Sequence, residues 1–388
     1  MFSNTSGSRN VASGRGALYT NTTGSDNVAS GYNALALNTT GFNNVATGRN
    51  ALLSNSTGND NVAAGFQALQ ANTTGGFNVA IGSHALEANT GGFLNIATGG
   101  GALSSNTTGH ENIATGTNAL SSNTTGAFNV ATGVQALDAN TTGQGNVATG
   151  SNALAANVGG NDNVATGGAA LASNTAGDDN VAYGIQALQN NTTGDRNLAT
   201  GTQALFQNTT GHDNLAAGSL ALSSSAGGIN NVALGNSALQ ANTANGNTAT
   251  GRTALVANTT GHDNVANGWK ALNANTSGSS NIAIGSAAGK NLTTGSNNVD
   301  IASAGVAGES ATIRIGDKGT HLAAFLQGVY GRVSTGGVPV VINSDGKLGT
   351  ATAASTNAAG GGALKQRLGR QAREIARLKR EVGRIAHS

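Results

Sequence analysis

A glycine recurs every 17 residues, at Gly7, Gly24, Gly41, Gly58, Gly75 and Gly92, and the spacing holds through Gly228. The register loses one residue near Asn245 and resumes at Gly261, Gly278 and Gly295. Seventeen units therefore fill residues 7–294, with the consensus G-x-x-N-V-A-T-G-x-x-A-L-x-x-N-T-T. A fixed period of this length is the mark of stacked repeats, each too small to bury its own apolar face. Two helices and their turns do not fit in 17 residues, and the glycine and the N-T-T-G of each unit break helices. Two short strands and two turns do fit. The expected fold is an all-β repeat, a parallel β-roll or β-solenoid of 17-residue rungs. At about 4.8 Å per rung, seventeen of them make a stack on the order of 80 Å.

Five kinds of column carry this expectation. Val11, Val28, Val45 and Val62 begin a branched-aliphatic column; Leu18, Leu35, Leu52 and Leu69 begin a second, seven residues later. Each is expected to line the core, on its own sheet. Gly14, Gly31, Gly48 and Gly65 never vary and are assigned to turns, where positive φ or close backbone approach favours glycine. Asn21, Asn38, Asn55 and Asn72 are expected to stack as an amide ladder. Alanine columns between the aliphatic ones would admit close approach of another chain, so lateral self-association is expected.

The Asn-Val-Ala-x-Gly core, as in Asn44-Val45-Ala46-Thr47-Gly48 and Asn281-Ile282-Ala283-Ile284-Gly285, resembles the head repeats of trimeric autotransporter adhesins. That resemblance implies a left-handed parallel β-roll in a homotrimer. The longer unit ending in N-T-T-G is similar to repeats of phage tail-fibre proteins. Further on, Phe325-Leu326-Gln327-Gly328-Val329-Tyr330-Gly331, then Val338-Pro339-Val340-Val341-Ile342, Asp345 and Leu348-Gly349-Thr350, resemble the segment before an endosialidase-type intramolecular chaperone. That family's self-cleaving Ser/Lys pair has no counterpart after Thr350. The domains expected are residues 1–300 as the β-roll, 301–350 as a small β-rich segment, 351–362 as a flexible linker, and 363–388 as a helix.

Leu364, Leu368, Gln371, Ile375, Leu378, Val382 and Ile385 are spaced 4,3,4,3,4,3, the a/d seam of a coiled coil with one polar position. The helix could instead dock on an acidic partner or a membrane surface, which basic amphipathic helices also suit. Residues 361–388 hold eight Lys/Arg against two Glu, +6 of a net +2, which leaves −4 for residues 1–360. With no basic stripe along the repeats, nucleic acid is not an expected partner there. No segment approaches the roughly 18–20 apolar residues of a membrane span, and the start MFSNTSGSRN lacks the basic and apolar regions of a secretory signal.

Chemistry-bearing constellations are sparse. His110, His212 and His262 share a column, but His212 and His262 would lie roughly 14 Å apart, too far for one metal. Asp26, Asp60, Asp162, Asp213 and Asp263 precede the Asn-Val core in some units only, unlike a calcium-binding roll. Glu87 and Glu111 are the only glutamates before Glu309, so a carbohydrate-cleaving carboxylate pair has little to draw on. Thr22 and Thr23 would point to opposite faces of a strand, leaving at most one threonine column for ice. No catalytic residue, metal site or cofactor is expected. Contacts with a cell-surface glycan or receptor would fall where the repeat varies, at Tyr32, Phe42, Phe66, Phe93 and Trp269. The expected role is a structural and adhesive fibre, extracellular, at a cell surface or on a virion. An end-to-end filament subunit is the alternative, and a carbohydrate-active enzyme on a solenoid a weaker one.

Overall fold

The computed structural model describes residues 2–325, 340–344, 346–350 and 361–385. Nineteen three-residue strands, β1 (Val11–Ser13) through β18 (Val299–Ile301) and β19 (Ile313–Ile315), form one parallel sheet. Each strand pairs with its neighbour in the same register: Val11 opposite Val28, Ala12 opposite Ala29, Ser13 opposite Ser30. The pairing passes the one-residue loss unchanged, with Val232 opposite Thr248. The stack is thus a parallel β-solenoid whose repeats each contribute one turn, and its sheet continues past residue 300 to β19.

Each turn has one strand, not two. The Leu segment is a run of tight turns in which Leu35, at φ 50°, and Asn33, at φ 54°, are left-handed. Hydrogen bonds between turns nevertheless continue there: the Leu18 amide donates to the Ala34 carbonyl (3.1 Å) and Leu35 to Ala51 (3.0 Å). The left-handed conformation costs an L-residue about 1–2 kcal/mol. Full burial of a leucine returns about 1.5–3 kcal/mol, and Leu18, Leu35, Leu52 and Leu69 are wholly buried. Burial outweighs the strain, so leucine is retained where asparagine would be easier for the backbone.

The Val column does not line the core. Neighbouring strand positions face opposite sides, and here the central alanine faces in: Ala29, Ala46 and Ala63 are fully buried. Val28 and Val45 are each 38% exposed, Val11 is more exposed, and Val62 is half-buried. The physical reason is the narrow interior. A strand of three has one inward position, opposite the Leu column, and only a methyl fits there. The core is therefore two alanine columns and one leucine column, repeated from turn to turn.

Two asparagine columns complete the interior. In the expected one, Asn38 Nδ2 donates to Asn21 Oδ1 (2.8 Å) and Asn55 Nδ2 to Asn38 Oδ1 (2.8 Å), and each also reaches the glycine carbonyl three residues on. The second ladder is the Asn of Asn-Val-Ala. Asn44 Nδ2 donates to Asn27 Oδ1 (3.1 Å) and to the Gly58 carbonyl (2.9 Å), while the Asn44 amide also donates to Asn27 Oδ1 (3.0 Å). Buried amides left unpaired would cost about 1–3 kcal/mol each; stacking identical ones satisfies them in series. Both glycine columns answer to this tight packing. Gly14, Gly31, Gly48 and Gly65 have φ between 123° and 148°, and a Cβ on Gly14 would lie 2.5 Å from the Gly31 carbonyl oxygen. Gly41, without a positive φ, would bring its Cβ 2.5 Å from the Gly58 oxygen.

The remaining described residues form a unit of their own from Ala323. It holds an antiparallel pair, β20 (Val340–Ile342) and β21 (Leu348–Thr350), and one helix, α1 (Gly361–Ile385). The chaperone-like stretch Leu326–Gly331, Val338, Pro339 and Asp345, and the linker at 351–360, lie outside the described residues. Leu368, Gln371, Ile375, Leu378 and Val382 are exposed on α1. Leu364 and Ile385 fall within its bounds. No helix among the described residues is long and apolar enough to cross a membrane.

Candidate binding surface

Since the interior repeats, chemistry that differs from turn to turn must be displayed outside, at the two corners that flank the strand. The corner after the second glycine carries Arg15, Tyr32, Arg49 and Phe66 on successive turns. Their guanidiniums lie over the rings, Arg15 at 5.9 Å and Arg49 at 5.7 Å from the Tyr32 centroid, and Arg49 at 5.8 Å from that of Phe66. His84 meets the Phe66 ring edge-on and bonds Glu87 (2.8 Å). Both faces of Tyr32 are thereby taken up by cations. Trp269 lies far along the chain from these, with Lys270 Nζ 4.6 Å from its ring.

The corner after the lead glycine is different. Phe93 stacks on His110 at 4.8 Å with an interplanar angle of 5°, and His110 meets Phe128 edge-on at 5.2 Å. Phe77 and Leu94 stand beside them on the same edge, exposed. Phe42 shares the Phe93 column but is separated from it by Asn59 and Gly76. Of the five aromatics expected from the sequence, Tyr32 and Phe66 are brought together, Phe93 joins a cluster, and Phe42 and Trp269 stand apart. Phe77, Leu94 and Phe128 were not singled out in the sequence. Their trace was present: they occupy the position before the buried asparagine, where most turns carry Asp, Asn or Gly.

That position is left-handed throughout. Asp26, Asp60, Asp162, Asp213 and Asp263 have φ between 55° and 60°. The aspartates thus answer a backbone demand that Asn and Asp tolerate. Some also pair along the stack, as in Arg196 with Asp213 (2.8 Å). The Arg196 guanidinium, helped by His212, holds the Asp213 carboxyl down at about 2. His212 and His262 bond the aspartates beside them in sequence, at 2.7 and 2.9 Å. No three His, Asp or Glu side chains converge on one point among the described residues.

At the C-terminal end of the solenoid the interior alanine column gives way to Asp300, opposite Ala283 on one side and Arg314 on the other. Asp300 is 1% exposed, and neither carboxylate oxygen has a hydrogen-bond partner of good geometry. Burial, with the Glu309 charge, pushes its carboxyl up to about 6, against the pull of Ser303 and Arg314. Arg314 is held by Glu309 through a fork of hydrogen bonds of 2.7–2.9 Å. No protein family, curated protein or solved structure matches the chain.

Proposed function

We propose that the chain is the shaft of a homotrimeric surface or tail fibre, a left-handed β-roll that displays a receptor-binding surface away from its anchoring point. The observation that carries this is the outer face of the sheet. Val28, Val45, Ile96, Ile113, Leu198, Val265 and Ile282 each leave more than a third of their surface exposed. They are in register with the other aliphatics of their column, so they form an aliphatic stripe along the stack, broken once at Thr248. Apolar patches this continuous are rare on monomers and mark association surfaces. On α1, Leu368, Ile375, Leu378 and Val382 are exposed and form a second apolar line, which a coiled coil of the same copies would cover. The extracellular, adhesive setting follows from the fibre reading, which needs no catalytic group.

Sedimentation of the full chain tests it. A three-chain mass is expected, and Ile96→Asp combined with Ile113→Asp should give a single-chain species with an unchanged β-rich spectrum. A monomeric wild type overturns the trimer. Long fibres under the electron microscope would point to end-to-end filaments instead.

A further inference from the structure

From the lead-glycine corner we infer that Phe77, Phe93, Leu94, His110 and Phe128, with the polar groove that follows them, form a binding site for a neutral oligosaccharide. This deepens the adhesive reading and rests on it. Two independent observations single out the patch. The first is backbone strain: Phe77 at φ 59°, Leu94 at 56° and Phe128 at 61° are left-handed, an outlier for bulky residues, at a position most other turns give to Asp, Asn or Gly and the turn between Leu94 and Phe128 gives to Glu111. Strain kept where nothing in the core needs it points to function. The second is exposure. Phe77 is 59%, Phe93 41% and Phe128 51% exposed, so these rings stabilise no interior.

Their arrangement fits sugars. The rings follow one another along about 15 Å of the stack; Phe93 and His110 cover each other's facing sides, and the ring surface left exposed, most of it on Phe77 and Phe128, is offered to the C–H side of pyranose rings. Directly beyond Phe128, Gln144, Asn161, Asp162 and Asp178 line a shallow open groove. Amides and carboxylates of this kind accept and donate to hydroxyls. Three carboxylates line the groove, Asp162, Asp178 and Asp179, and the guanidinium that Asp179 influences, Arg196, is already paired with Asp213, so the groove keeps an excess of negative charge that repels anionic sugars. The Arg-capped Tyr32 and Phe66 offer no such free ring faces.

Titration of the full chain with glucose and N-acetylglucosamine hexaoses, and with a sialylated oligosaccharide as the anionic control, tests the site. Binding of a neutral hexaose is expected, weakened about tenfold or more by Phe93→Ala and by Phe128→Asn. Phe128→Asn should leave the melting temperature unchanged or raised, since asparagine suits the left-handed backbone. Equal binding of neutral and sialylated sugars, or none by the intact chain, overturns the site. Wild-type affinity in both variants moves the ligand elsewhere and leaves the fibre standing. A change in chain mass alone would make the patch a contact between copies.

Discussion

The middle turns of the solenoid and its last ones obey different rules. Between Asn27 and Asn264 interior residues meet their own kind above and below, with Ser225 in the Asn21 column the exception, so one solution to packing and hydrogen bonding serves nearly every turn. At β18 that ends: Ala283 is followed by Asp300, and the Arg314–Glu309 pair comes next to it. A stack of repeats needs a polar terminus to stop it. The comparison teaches that the interior tolerates charge only where repetition stops.

Five substitutions separate the two regimes. The largest effect is expected in mid-stack, from Gly116→Ala. Gly116 has φ 136° and its Cβ would collide with the Gly133 carbonyl, so about 3 kcal/mol or more should be lost in denaturant unfolding. Gly308→Ala, near the end and with nothing within 4 Å of its Cβ, should cost about 1 kcal/mol, from its φ of 73° alone. If the two cost the same, close packing is not what fixes the glycines. Next is Asn112→Ala, which leaves Asn95 and Asn129 without their shared partner and should cost about 2 kcal/mol.

Asp300→Asn should act in the opposite direction. With the folded carboxyl at about 6 and the unfolded one at the ordinary 3.8, the folded state holds the proton more tightly. Stability therefore falls as pH rises from about 4 to 6 and stays low above that. Because solvent lies close beyond the last turns, about 1–2 kcal/mol is a fair size for the penalty. The variant should be more stable than wild type at pH 7–8 and lose the pH slope, as followed by melting temperature. The smallest effect is expected from Arg196→Ala, which removes an exposed ion pair with Asp213 screened by solvent: a melting temperature indistinguishable from wild type.

Much of this was legible in the repeat itself. The period, the parallel stacking, the buried Leu18 column and the Asn21 ladder follow from which columns stay constant. The Val11 column was misplaced because constancy reports that a position is constrained without saying from which side. A valine that another chain covers and a valine in a core look alike along one sequence. The second ladder, beginning at Asn10, was hidden because an asparagine beside a strand reads as a turn residue. The aromatic cluster was half visible: Phe93 stood in a varied column, while Phe77 and Phe128 needed the left-handed φ to appear anomalous. Asp300 stands 17 residues after Ala283, so its column was legible, but that this alanine column is the one facing the interior was not, because the Val column was taken for the core.

The constant register also makes length adjustable. Apart from the turn where Ser225 replaces an asparagine, the middle turns present their neighbours with the same alanines, leucine and amides, so whole units can be added or removed there without an interior residue meeting a stranger. Even the single residue lost near Asn245 is absorbed outside the sheet, with Ala233 still opposite Ala249. A gene built this way works as a ruler: recombination between its repeats lengthens or shortens the protein in increments of one turn, about 4.8 Å each.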